Sequence, residues 1–169
     1  YDHLPSDVAG ECRFDAGGYF IINGSEKTVL AQERAAENKV YCFNTGKNNT
    51  KWNWTAEIKS VPDFKIISPK QVNMMVASKN NGFGHPIYIE IPRVKNPLPL
   101  FVLFRALGIV SDQEICSYIL LDIKDAKMTK MLFALRGSIV DSNTYITQED
   151  AFNHIVNNVS FTPINMTPT

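Results

Sequence analysis

The chain has 169 residues, with 17 Lys+Arg balanced by 17 Asp+Glu for a formal net charge of zero. A composition of 44% hydrophobic and 20% charged residues is that of a globular chain rather than a disordered one, and neutrality argues against a stand-alone phosphate binder. No apolar run reaches the roughly 18 residues of a membrane helix, and the length suits one domain, or one domain plus a piece of a neighbour.

The first half carries strand signals. Tyr19-Phe20-Ile21-Ile22 runs into Asn23-Gly24, a dipeptide suited to a tight hairpin because both residues tolerate positive φ. Residues 28–30 are the expected return strand, and residues 39–43 a third. Residues 51–61 alternate, with Trp52, Trp54, Ala56 and Ile58 on one face and Asn53, Thr55, Glu57 and Lys59 on the other. That predicts a half-buried antiparallel strand with both tryptophans in the core. Residues 71–77 and 86–91 continue the series. The connections at 45–50 and 79–84 read as solvent-facing loops, the second a flexible hairpin tip.

Past Asn96 the period becomes helical. Residues 99–107 space Leu100, Leu103, Phe104 and Leu107 at three and four, with Gly108 as a stop. Ser111-Asp112-Gln113-Glu114 has the form of a capping box, opening a helix to about Leu121 that buries Ile115, Tyr118 and Ile119. Residues 125–135 form a third helix with Met128, Met131, Leu132 and Leu135 on its apolar face. Thr147 opens a fourth, carrying Ala151, Phe152, Ile155 and Val156, and residues 161–169 read as a linker. Strands first and helices second predict an α+β fold, antiparallel strands packed against a helical second half.

Chemistry is sparse. His3, His85 and His154 have no ligand partners at helical spacing, and no Walker loop or nucleophile elbow is present. Cys12, Cys42 and Cys116 are odd in number and far apart, which reads as three partly buried free thiols in a reducing compartment. Five Asn-x-Ser/Thr sequons occur, but the chain holds 15 Asn, so they read as a consequence of composition. From the residues alone, the expectation stops at an intracellular α+β binding or structural domain without a catalytic or metal site.

Two stretches say more. Asp15-Ala16-Gly17-Gly18-Tyr19-Phe20-Ile21-Ile22-Asn23-Gly24-Ser25-Glu26-Lys27, followed by Ala31-Gln32-Glu33-Arg34, closely resembles the second-largest subunit of multisubunit DNA-directed RNA polymerase. Phe104-Arg105-Ala106-Leu107-Gly108-Ile109, with Ser111-Asp112 after it, resembles the lobe region of the same family. The wording is closest to the RNA polymerase II type, with Arg13 and Ala16 replacing prolines common in the family. The Asn-rich middle fits an AT-rich genome, such as that of a large DNA virus.

The resemblance implies a protrusion edge over residues 1–40, a lobe over 41–160 and a linker over 161–169. It implies a part of a nucleotidyltransferase that is non-catalytic by itself: the Mg2+ of the complete polymerase would be held by the largest subunit, and no cofactor is expected here. Expected partners are other polymerase subunits, chiefly the largest, with the DNA template, the RNA–DNA hybrid and transcription factors, and no membrane. Expected locations are the nucleus for a cellular enzyme and the cytoplasm or virion for a viral one. The chain opens without a Met and reads as a fragment of a longer polypeptide.

By position, Lys27, Gln32 and Arg34 are the candidates to approach nucleic acid, Lys and Arg toward phosphates and Gln toward a sugar or base edge. Surface solvation, or ion pairs with Glu26, Glu33 or Glu37, is an equal alternative. Arg105, isolated in an apolar helix, is expected to hydrogen-bond to structure rather than to DNA. Competing readings are an independent protein-interaction domain and, on the sequons alone, a secreted glycoprotein domain. The neutral total also conceals a split: residues 41–110 carry nine basic and three acidic side chains, while 1–40 and 111–169 each carry four basic and seven acidic.

Overall fold

The structure, a computed structural model, describes residues 4–46 and 51–160. The linker expected over 161–169, most of the loop at 45–50, His3 and the sequons at Asn48 and Asn165 lie outside the described residues. The chain divides into two compact units, Tyr1–Ala35 and Ala36–Thr169.

The first unit contains a short helix α1 (Ser6–Ala9) and a two-stranded antiparallel ribbon, β1 (Tyr19–Ile22) and β2 (Ser25–Thr28). Asn23 (φ 51°) and Gly24 (φ 73°) form the two-residue turn, both left-handed as the twist of a tight hairpin demands. That turn pairs Ile22 with Ser25. The return strand therefore starts three residues before the expected Thr28. Upstream, the Asp15 carboxylate accepts from the Gly17 amide and the Tyr19 hydroxyl, each at 3.0 Å. Gly17 (φ 77°) and Gly18 (φ 90°) supply the left-handed bend between them. The Asp-x-Gly-Gly-Tyr run is thus a turn that launches β1.

The second unit is a five-stranded antiparallel sheet followed by four helices, an α+β arrangement as expected. The sheet order is β3 (Val40–Asn44), β4 (Trp52–Ser60), β5 (Lys70–Ala77), β6 (Ile87–Glu90) and β7 (Leu98–Pro99). Helices α2 (Leu100–Ala106), α3 (Asp112–Leu120), α4 (Ala126–Asp141) and α5 (Gln148–Asn157) complete it. Register places Val72, Ile87 and Ile89 on one sheet face. They pack with Leu100, Phe101, Ile115, Cys116, Leu120 and Leu135 in the core.

Helix boundaries follow local chemistry. Pro99 stands at the N-cap of α2. At its other end the Gly108 amide donates to Arg105 O and the Ile109 amide to Phe104 O, each at 3.0 Å, with Gly108 at φ 102°. This is the Schellman arrangement that a glycine stop permits. Asp125 caps α4 by accepting from the Lys127 amide at 2.9 Å, and Thr147 caps α5 by accepting from the Asp150 amide at 3.1 Å. Ser111 is the N-cap of α3, but its hydroxyl makes no capping bond, so the expected capping box is only positional.

Four expectations are corrected by packing. Helix α4 continues six residues past Leu135, through Gly137, whose missing side chain lets the helix lie against the Gly84 backbone. Tyr118, Met131, Phe152 and Val156 are exposed, while Cys116 and Leu120 take the buried positions on α3. Cys12 and Cys42 are exposed rather than partly buried. Trp54 is 52% exposed, not core. The register of β4 against β5 shifts between Trp52 and Trp54: Trp52 pairs with Ala77 and Trp54 with Val76. Adjacent residues of β5 point to opposite faces, so this bulge sends the two tryptophans to opposite sides of the sheet.

The tip at 79–84 is also not a free loop. Asn80 Oδ1 accepts from the amides of Gly82 (2.7 Å) and Gly84 (3.2 Å), and Asn81 Nδ2 donates to Gly137 O at 2.9 Å. The following strand is held to the same helix, where the Ile87 amide donates to Ser138 Oγ at 2.9 Å.

Candidate nucleic-acid interface

Lys27 lies in β2 directly across from Phe20, and Gln32 and Arg34 follow in residues 29–36, which have no regular secondary structure. All three are exposed. The three share no element. Lys27 borders a shallow hollow with Tyr19, Phe20, Ile21, Glu26 and Thr28. The ribbon is apolar on both faces, with Phe20 and Ile22 on the Lys27 side and Tyr19 and Ile21 on the other, all more than half exposed. A two-stranded ribbon of this kind does not bury enough surface to be stable by itself.

Arg105 behaves as its apolar context suggested. It is 3% exposed, and its Nη1 donates to the carbonyl oxygens of Ser142 (2.7 Å) and Tyr145 (2.6 Å). Its Nη2 forms an ion pair with Asp112 Oδ1 at 2.5 Å. One guanidinium therefore ties α2 to the first turn of α3 and to the α4–α5 connection. Its Nε is buried without a partner among the described residues.

The strongly shifted group is Tyr88. Burial, then its hydrogen bond to Asp141 Oδ2 (2.7 Å) and that carboxylate's charge, push the phenol well above its ordinary value. An unfolded tyrosine loses its proton near pH 10, whereas the folded one keeps it to higher pH. Above about pH 10 the folded state therefore binds more protons, and stability falls as pH rises. Urea unfolding from pH 8 to 11.5 is expected to show a steeper alkaline loss in the parent than in Tyr88→Phe. Parallel curves would contradict this. Cys116, buried beneath α3, is likewise raised, by desolvation first and by Asp112 second, which keeps it an unreactive thiol.

Among the described residues, no three His, Cys, Asp or Glu side chains come close enough to hold a metal ion, and no helix is long and apolar enough to cross a membrane.

Fold and sequence together define a class: an α+β module of a five-stranded antiparallel sheet followed by four helices. The family model described as RNA polymerase Rpb2, domain 2 matches residues 36–168. The chain is 41% identical over 146 residues to the DNA-directed RNA polymerase II subunit RPB2 of Encephalitozoon cuniculi, covering 86% of this chain and 12% of that protein. It is 39% identical over 124 residues to the RPB2 of Schizosaccharomyces pombe, 72% of this chain and 10% of that protein. The DNA-directed RNA polymerase subunit 2 of Acanthamoeba polyphaga mimivirus is 34% identical over 161 residues, 94% of this chain and 13% of the relative. The chain belongs to the Rpb2 domain 2 family of RNA polymerase second-largest subunits. It spans roughly a tenth of the length of these relatives.

Proposed function

We propose that this chain forms one wall of the DNA cleft of a DNA-directed RNA polymerase, as a non-catalytic piece of the second-largest subunit. The observation that carries this reading is the family match running through the whole sheet-and-helix unit. In this reading the wall guides DNA and offers surfaces to the largest subunit and to transcription factors. The Mg2+ that drives nucleotidyl transfer is held elsewhere in the enzyme, and the location follows that enzyme, nuclear if cellular, cytoplasmic or in the virion if viral. Lys27, Gln32 and Arg34 would face the RNA–DNA hybrid, where exposed cations and an amide suit phosphate and sugar contacts.

The test is a reconstituted polymerase carrying Lys27→Ala, Gln32→Ala and Arg34→Ala. Losing charged hydrogen bonds to phosphate is expected to shorten the salt-challenged lifetime of the elongation complex about tenfold. The single-nucleotide addition rate should stay unchanged. An unaltered lifetime would remove these three residues from the interface, and a slowed addition step would contradict the non-catalytic assignment.

A further inference from the structure

We infer that a hollow formed by Lys51, Trp52, Ala77, Ser78, Lys79 and Tyr88 is a stacking site for a single-stranded nucleic acid. This rests on the polymerase reading and adds to it a place and a mode of contact that the sequence motifs do not indicate.

The bulge is what makes the site. Without it, Trp52 would share a face with Trp54, Ala56 and Ile58, as simple alternation demands. With it, Trp52 stands across from Ala77, on the face that carries Met75 and Tyr88. There the indole meets the Tyr88 ring at a centroid distance of 5.6 Å and a tilt of 59°. Bulges occur where a strand re-aims a side chain, and here the re-aimed side chain is one of the two tryptophans of β4. Tyr88 is held in turn by its hydroxyl bond to Asp141 at 2.7 Å, so the aromatic wall is fixed before any ligand arrives. The floor is firm as well, since Met75 and Ala77 are buried.

The hollow has a volume of about 520 Å³, within the roughly 300–1,000 Å³ of small-ligand sites. Its rim is cationic. Lys51 and Lys79 are exposed at the two strand ends, where Lys51 O accepts from the Ser78 amide at 2.8 Å. Aromatic rings beside lysines match a base beside its phosphates: the ring stacks on any base, and the ammonium groups follow the backbone. A duplex keeps its bases stacked on one another, so the occupant is an unpaired strand. The residues that line the hollow include two lysines and no acidic side chain, which favours an anionic occupant over a neutral peptide.

The test uses the full 169-residue chain, whose two tryptophans are Trp52 and Trp54. In a Trp54→Phe background the remaining fluorescence reports on Trp52. Thymidine octamer is expected to quench it saturably, and an abasic octamer of equal charge is expected to bind at least tenfold more weakly. Lys79→Glu, checked for intact folding by circular dichroism, should weaken octamer binding and lower the salt dependence by about one phosphate contact. Trp52→Ala should lose roughly tenfold in affinity measured by anisotropy of a labelled octamer, the scale of one stacked base.

Absence of saturable quenching, or equal binding of the abasic octamer, would overturn the stacking site. Displacement of the octamer by a glutamate octapeptide at equal concentration would assign the hollow to protein contact and also overturn it. Each of these outcomes leaves the cleft-wall reading standing, because that reading is judged on the assembled polymerase.

Discussion

Gly137→Ala is expected to destabilise the protein by about 1–3 kcal/mol, the cost of overpacking a fitted contact. The sign is the informative part. Gly137 lies inside α4, and on helix propensity alone alanine would stabilise by about 1 kcal/mol. A Cβ at this position, however, would stand 2.9 Å from the Gly84 carbonyl carbon and 3.1 Å from its oxygen. The obstacle is backbone and has no rotamer to escape into. Gly84 itself holds φ 147°, so its backbone is already committed, and the same tip is bound to α4 through Asn81 and Gly137 O. The substitution must push the tip from the helix or bend the helix away from the sheet. Urea unfolding with far-UV circular dichroism measures the difference. A variant as stable as the parent would show that the tip does not rest on α4.

Arg105→Met is expected to cost about 3–5 kcal/mol, the range for removing one partner from a buried charged network. The loss is large because the acceptors stay behind. Ser142 is fully buried and keeps a carbonyl that the guanidinium had satisfied at 2.7 Å, and the Tyr145 carbonyl loses its 2.6 Å bond. Methionine fills the volume and donates nothing. Arg105→Lys should recover only part of the loss, since one ammonium cannot reproduce a planar fork that serves three acceptors. Asp112→Asn should cost no more than about 1 kcal/mol, because the Asp112 side chain is 41% exposed and water replaces the lost charge. Chemical unfolding of the three variants checks the order. Equal losses in Arg105→Met and Asp112→Asn would mean that the ion pair, rather than the carbonyl contacts, holds α2 to its neighbours.

Much of the architecture is legible in the sequence because it is decided within a few residues. The Asn23-Gly24 turn, the glycine stop after α2 and the caps at Asp125 and Thr147 each depend on the φ preference or side-chain oxygen of one residue. Strand periodicity located β3, β4, β5 and β6 to within a residue or two. Arg105 was also legible, since an arginine surrounded by apolar neighbours on a helix must find acceptors nearby. The Asp15-to-Lys27 motif pointed to the family without revealing its physical purpose, which is the turn that Asp15 builds for β1.

What escaped the sequence depends on partners far along the chain. The alternation of residues 51–61 is real, yet one inserted residue in the β4–β5 register reverses its consequence for Trp52. Tyr118, Met131, Phe152 and Val156 have the spacing of core residues, but which side of a helix is covered depends on its neighbours. The contact of Gly137 with Gly84 was not legible either, because the two lie on different elements far apart in the chain. Composition, strand and helix type, caps and family were therefore determined by the sequence itself. The two faces of the sheet, the docking of the 79–84 tip and the hollow at Trp52 were decided only by tertiary structure. A one-residue register shift leaves local preferences unchanged and reverses which side chain meets the solvent. The zero net charge follows the same division: the sum is a property of composition, and the lysines at the rim of an aromatic hollow are a property of the fold.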